Sequence, residues 1–397
     1  MSESARFDAL VVGAGLSGAV LAERMATVLG WRVLVVEQRD HIAGNCHDVH
    51  DERGVLIHQY GPHLFHTDNA EVWAYLSRFT EWRPYEHRVL ASVDGQLLPV
   101  PFNLTSIERA FPPDEASAII GALLERFGEG ARVPILKLRE ESHPLLRGLA
   151  EFVYAKVFVN YTTKQWGVTP DRISPAVTGR VPVVVTRDDR YFTDPFQAVP
   201  KHGYTPMVAA MLNHPNIEVR LGVAFRDVAV FEPQAGVTTL DGTPFAGVTV
   251  FTGMIDELFD HEDGDLPYRS LSFRFAHHAD RDRFQPTTTV NYPNEEAYTR
   301  ITEFRHLTGQ VCEGTTVVYE YPHAFDRRAG HTPYYPIFND AGQAAWRRYA
   351  DRLSAIPRIV LAGRLAQYRY FDMDDAVANA LELFRTRPDF SRQGEDG

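Results

Sequence analysis

The chain has 397 residues, 44% of them hydrophobic, and 52 acidic against 40 basic side chains give a formal net charge of −12. That length predicts two or three domains with ample cores, and the acidic balance argues against a nucleic-acid partner, whose grip on phosphates needs basic surface. Two cysteines, Cys46 and Cys312, are too few for a disulfide framework or a four-ligand zinc site, so a reducing cytoplasm and no metal are expected.

In chain order, MSESARFD lacks the basic start of a secretory signal. No later stretch reaches the ~18 apolar residues of a membrane span, so no membrane partner is expected. Residues 7–37, FDALVVGAGLSGAVLAERMATVLGWRVLVVE, read as strand, Gly13-x-Gly15-x-x-Gly18 turn, helix, strand and terminal Glu37. Gly13 permits the tight turn, Gly15 lets backbone approach a pyrophosphate, and Gly18 lets the helix pack on its strand. The helix N-terminus, Leu16 and Ser17 included, offers free N–H groups to phosphates. Glu37 stands where a carboxylate meets an adenosine ribose. Arg39, two positions on, also reads as an NADP phosphate contact, but a following Ala43-Gly44 stands where FAD proteins carry a glycine pair. The N-terminal placement of the unit and the long remainder favour FAD.

Residues 70–82 have helical periodicity, and 84–165 read as mainly helical, with short helices in PFNLTSIERAF and PPDEASAIIGALLERFGEG. Over residues 167–182 three prolines and two glycines predict an irregular lid that carries Arg180. The segments RVPVVV (180–185), RYFTDPF, SLSFRFAHH, TTTVNYP, YTRITEFRH and TTVVYEYP are short, β-branched and aromatic, as in an antiparallel sheet. NIEVRLGVAFRDV (216–228) and GVTVFTG (247–253) read as strands returning to the nucleotide fold. RIVLAGRL (358–365) follows as a buried strand, then a helix over about 373–385. The predicted fold is α/β in three parts. These are a discontinuous Rossmann-like FAD-binding domain (1–80, 205–265 and 340–397), a mainly helical domain (81–168) and an antiparallel β-sheet domain (169–204 and 266–339).

From YGPHLFHT (60–67) onward, YEHRVLASVDGQLLPVPFNLTSI (85–107), NYTTKQWG (160–167), PKHGYT (200–205), TRITEFRH (299–306), YYP (334–336) and GRLAQYRYFDMDDAV (363–377) resemble the bacterial UDP-galactopyranose mutases, in consistent order over residues 6–386. The resemblance implies an FAD enzyme, active when the flavin is reduced, that interconverts UDP-galactose and UDP-galactofuranose without net oxidation through an N5-flavin–sugar adduct. It further implies a homodimer, an unidentified flavin reductant, and a supply of galactofuranose for cell-surface glycans.

The resemblance also carries residue roles. Arg180, Arg300 and Arg364 serve the pyrophosphate, helped by Tyr191, Tyr335 and Tyr370, in keeping with the bidentate charge that arginine offers a diphosphate. Tyr161 stacks on uracil, with Phe158 and Trp166 lining the nucleotide pocket. Asn291 faces the sugar, Asp372 lies beside the substrate, and His63 runs past the flavin ring. Arg180, Arg364 and His63 are the expected catalytic groups. Gln38, Asn45, His63, Leu64, Gly363, Arg364 and Met373 join the glycine turn and Glu37 at the cofactor. The N-terminus of the last helix favours a reduced, anionic flavin. Arg305 reads equally as function or as surface charge. The rival reading is an FAD-dependent oxidoreductase of the amine-oxidase type, which shares the nucleotide fold but needs no diphosphate clamp.

Overall fold

A computed structural model of the chain describes residues 7–167 and 182–390. Its first layer is a five-stranded parallel sheet in the order Ile217–Leu221, Val33–Glu37, Ala9–Val12, Val248–Phe251, Ile359–Leu361. All five residues of Val33–Glu37 are buried, as continuous apolar strands must be when both sheet faces are covered. Helix Leu16–Arg24 packs against Met373–Thr386 and Tyr204–Leu212, so the first and last parts of the chain close one core.

The second layer is a seven-stranded sheet in the order Tyr335–Pro336, Tyr268–His278, Thr315–Ala324, Arg300–Glu303, Thr289–Asn291, Val89–Val93, Gln96–Val100. Its register sets Phe273 opposite Glu320, Glu320 opposite Arg300, Arg300 opposite Asn291, and Asn291 opposite Ala91. Directly opposed residues share a face. Pairing therefore lines up a carboxylate, a guanidinium and an amide in one row.

The segment expected to be mainly helical begins instead with strands. Val89–Val93 and Gln96–Val100 form a hairpin closed by Asp94 and Gly95, at φ 49° and 80°. An Asp-Gly pair supports this turn because both central residues need positive φ. Helices Leu104–Ala110, Pro113–Phe127, Pro144–Val153 and Val159–Trp166 follow around a separate core. Two segments expected in the antiparallel sheet lie elsewhere. Pro182–Val184 joins Phe102–Asn103 and Arg132–Pro134 beside the helices. Phe196–Pro200 pairs with Phe65–Thr67 and Trp82–Pro84. Among the described residues, no helix is long and apolar enough to cross a membrane.

Candidate functional site

One cavity of about 1080 Å³ lies between the carboxyl ends of the parallel strands and the seven-stranded sheet. Ligands of α/β folds settle outside those strand ends, and the volume exceeds the ~300–1,000 Å³ typical for a single small molecule.

On the nucleotide wall the three glycines do different work. Gly13 has φ +104°, and a Cβ there would lie 2.1 Å from Thr252 Oγ1; a Cβ on Gly18 would lie 2.0 Å from the Gly13 carbonyl oxygen. The protein itself demands those two. Gly15 has an ordinary φ of −78° and nothing nearer than the Gly44 Cα at 3.8 Å, so its missing side chain leaves room for something other than protein. Glu37 is buried and pinned, Oε2 accepting from the Ala14 amide and Oε1 from the Arg39 amide, each at 3.0 Å. Arg39 lies over the Tyr60 ring and donates to Asn45 Oδ1 at 3.0 Å, which directs part of its guanidinium into the protein. Ala43 holds φ 73° ahead of Gly44 at 55°, a left-handed pair despite the alanine. Gly13, Gly15, Leu16, Ser17, Gly18, Glu37, Gln38, Asn45 and Leu64 all border the cavity.

On the opposite wall stand Tyr161, Tyr191, Asn291, Arg300, Tyr335 and Tyr370. Gly363, Arg364, Asp372 and Met373 complete the lining between the two walls. Arg300 donates from Nε and Nη2 to the same Glu320 oxygen, at 3.0 and 2.9 Å, and Glu320 is 1% exposed. Burial works against the Arg300 charge, but Glu320 outweighs it and holds the pKa above the ordinary arginine range. The Arg364 guanidinium stacks on the Tyr335 ring at 4.9 Å, and Tyr335 lies parallel to Tyr370. Burial raises the phenol pKa of Tyr335 and Tyr161, so both remain neutral hydrogen-bond donors. The buried Asn291 Oδ1 and Glu320 Oε1 have no protein partner among the described residues.

His63 lines the cavity between these walls. Its Nδ1 lies 2.9 Å from the Gly61 carbonyl, which can only accept, so the proton sits on Nδ1 and Nε2 is left as the acceptor. Its amide donates to His58 Nδ1 at 2.9 Å. Burial, with His58 beside it, pushes the His63 pKa down to about 3. Asp372 caps helix Met373–Thr386 in a reciprocal box with Asp375, whose carboxylate accepts from the Asp372 amide at 3.1 Å.

Two expected lining residues are elsewhere. Phe158 is 1% exposed in the helical core and borders a separate cavity of about 70 Å³. The π-helical turn Tyr154–Phe158 advances the helix phase just before Tyr161. Trp166 packs beside Tyr335 with ring centroids 5.9 Å apart and is not part of the cavity lining. Arg180, and the expected lid apart from its end residues, lie outside the described residues. Arg305 is a clamp within the fold, 7% exposed, donating to the Gly314 and Asp282 carbonyls at 2.7 and 2.9 Å.

Sequence reasoning missed His87 and Glu320. His87 lines the cavity, is 5% exposed with Nδ1 unpartnered among the described residues, and burial lowers its pKa to about 3. Strand periodicity could have found both, since His87 shares the buried face of Val89 and Ala91, and Glu320 that of Val318.

Residues 156–370 match the family model for UDP-galactopyranose mutase, and residues 11–79 match one for a Rossmann-like NAD(P)-binding domain. The chain is 35% identical to a dTDP-fucopyranose mutase of Escherichia coli, over 94% of this chain and 96% of the other. It is 36% identical to a UDP-galactopyranose mutase of Mycoplasma pneumoniae, over 95% of each. In fold it resembles the crystal structure of a reduced UDP-galactopyranose mutase, with a TM-score of 0.71 at 15% identity over 95% of this chain and 93% of that one.

Proposed function

Because the chain belongs to the UDP-galactopyranose mutase family, we propose that it interconverts UDP-galactopyranose and UDP-galactofuranose without net oxidation, with reduced FAD as cofactor. The observation that carries this reading is the continuity of one cavity from a dinucleotide turn to a chamber holding Arg300, Arg364 and four tyrosines. An amine-oxidase-type enzyme would use the first wall and leave the second without a purpose.

The nucleotide wall fits a flavin dinucleotide, since Gly15 keeps open a space that the protein does not fill. Gly13, Gly15, Leu16, Ser17 and Gly18 would hold the pyrophosphate, Glu37 and Gln38 the ribose, and Asn45, His63, Leu64, Gly363, Arg364 and Met373 the remainder. When bound and reduced, the flavin supplies an electron-rich nitrogen toward the anomeric carbon of the sugar. The N-terminus of Met373–Thr386 favours negative charge there, set against the carboxylates of Asp374 and Asp375 in its first turn.

The chain's own residues act on the departing diphosphate. Arg300, fixed by Glu320, and Arg364, seated on Tyr335, present permanent charge where negative charge develops. Arg180 is proposed as a third contributor. Tyr191, Tyr335 and Tyr370 add hydroxyl donors. Tyr161 stacks on the base, with Phe158 in the adjoining small cavity and Trp166 packed against Tyr335. Asn291 and Asp372 hold the sugar hydroxyls, and His63 offers Nε2 as a neutral acceptor.

We also propose a cytoplasmic homodimer, kept active by a separate flavin reductant and supplying galactofuranose for cell-wall glycans. Two unpaired cysteines support the reducing compartment. The same proposal keeps three parts, a discontinuous nucleotide-binding domain, a mainly helical domain and an antiparallel sheet that also takes in Val89–Val100. The E. coli relative favours a second reading, a mutase of dTDP-fucopyranose. Incubating the dithionite-reduced protein with UDP-galactofuranose and with dTDP-fucofuranose, followed by chromatography, tests both. UDP-galactopyranose formed only under reduction is the expected result; equal turnover by oxidised protein, or stoichiometric peroxide, sinks it.

A further inference from the structure

The cavity of about 70 Å³ shares Pro101, Tyr161, Tyr191 and Asn291 with the main one. The rest of its wall is Ala91, Val100, Val157, Phe158, Thr162 and Pro293. Thr162 is the only one of those six with a polar side chain, and among the described residues no charged side chain lines this cavity. A pocket of this kind takes the apolar edge of a ring rather than a phosphate.

We propose that this side cavity receives the C5 edge of the pyrimidine and accepts a methyl group there, so that the site binds thymine nucleotides as well as uracil ones. The proposal rests on the reading that Tyr161 stacks on the base of a nucleotide sugar. Uracil and thymine differ only by the C5 methyl, which is about the size of a water molecule. One such probe needs ~10–15 Å³, and the side cavity provides about 70 Å³. Strong rejection of an analogue requires a buried polar group that the analogue leaves unpaired, whereas apolar walls discriminate weakly against one added carbon. Ala91, Val157 and Pro293 offer no such group, and their small side chains leave the space unfilled.

The test is a titration of the flavin-loaded protein with UDP and with 5-methyl-UDP, which isolates the methyl from the sugar hydroxyl that thymidine nucleotides also lack. The two are expected to bind within ~5-fold of one another. Filling the cavity, by Val157→Phe or independently by Ala91→Val, should raise the ratio of the two Kd values at least ~10-fold, through added bulk at the C5 edge. A wider gap in the parent protein overturns the proposal, and so does an unchanged ratio in both variants. If UDP itself fails to bind, the nucleotide-sugar reading falls instead.

Discussion

The two walls of the cavity are built on opposite plans. The nucleotide wall comes mostly from one short run, Val12 to Leu64, where turn, helix N-terminus and acid follow one another along the chain. The opposite wall collects single residues from distant helices, strands and loops, from Tyr161 to Tyr370, and only strand register brings Asn291, Arg300 and Glu320 into line. A site made of local geometry tolerates change in the rest of the fold. A site made of register depends on each buried partner, and mutation should expose the difference.

The largest effect is expected at Arg300. Arg300→Ala leaves Glu320 as an unpaired charge at 1% exposure, which costs about 3–5 kcal/mol of stability besides activity. The double variant with Glu320→Ala should recover much of that loss, because the stranded carboxylate goes too. Urea unfolding of the two single variants and the double checks this, and strict additivity would show that the pair is not coupled. Arg364 has a ring beneath it and, among the described residues, no carboxylate in salt-bridge range to strand. Arg364→Ala should therefore leave unfolding nearly unchanged while lowering kcat/KM by about 2–4 kcal/mol of transition-state stabilisation. Near-normal kcat/KM would remove Arg364 from the diphosphate clamp.

The nucleotide wall separates differently. Gly18→Ala drives a Cβ to 2.0 Å from the Gly13 carbonyl, so the flavin-free protein should lose about 1–3 kcal/mol. Gly15→Ala meets no protein atom nearer than 3.8 Å and should unfold as the parent does, yet retain little flavin on purification. Flavin content and apoprotein stability, measured on both variants, decide whether Gly15 answers to a ligand.

Sequence rules reached the first wall because its signals lie within a few turns of chain. Strand, turn, helix and Glu37 are all local features, and the structure sets them as expected. The second wall has no local signature. Arg300, Tyr335 and Arg364 were legible only through resemblance, and Glu320 was passed over although it falls on the face of Val318, because a carboxylate between two tyrosines reads as an exposed strand residue until its partner strand is known. The hairpin at Val89–Val100 was signalled by Asp94-Gly95 but read as part of a helical run, and His87 was lost with it. Phe158 was also placed by resemblance alone, and it borders the small side cavity next to Tyr161 rather than the main one.

Acid sharpens the contrast between the walls. Burial depresses the pKa of both His58 and His87 from 6.5 to about 3. Between those values the unfolded chain binds protons that the folded chain refuses, so the stability each neutral imidazole contributes is fully present above pH 6.5 and is lost as pH falls toward 3. The slope is about 1.4 kcal/mol per pH unit for each histidine. His87→Leu should flatten the pH dependence of urea midpoints by one such increment, while variants of the glycine turn keep the parent slope. A parental slope in His87→Leu would mean that His87 takes up its proton without unfolding.

The smallest effect is expected at Ala43, where the chain departs from the glycine pair of related flavin folds. Ala43 has φ 73° and is 1% exposed, so it carries the left-handed strain of an L-residue, about 1–2 kcal/mol. Ala43→Gly removes that strain. It also loosens the unfolded chain, at about 0.4–1 kcal/mol, and deletes a buried methyl worth about 0.8 kcal/mol. The terms oppose one another, and the net change in unfolding free energy should stay below about 1 kcal/mol. The Ala43 amide donates to the Ala14 carbonyl at 2.9 Å, which ties this turn to the glycine loop from its backbone alone, so flavin retention should be unchanged. A loss above about 2 kcal/mol would mean that the methyl packs with a role beyond its area, and the turn at Ala43 would then depend on its buried neighbours as the opposite wall does.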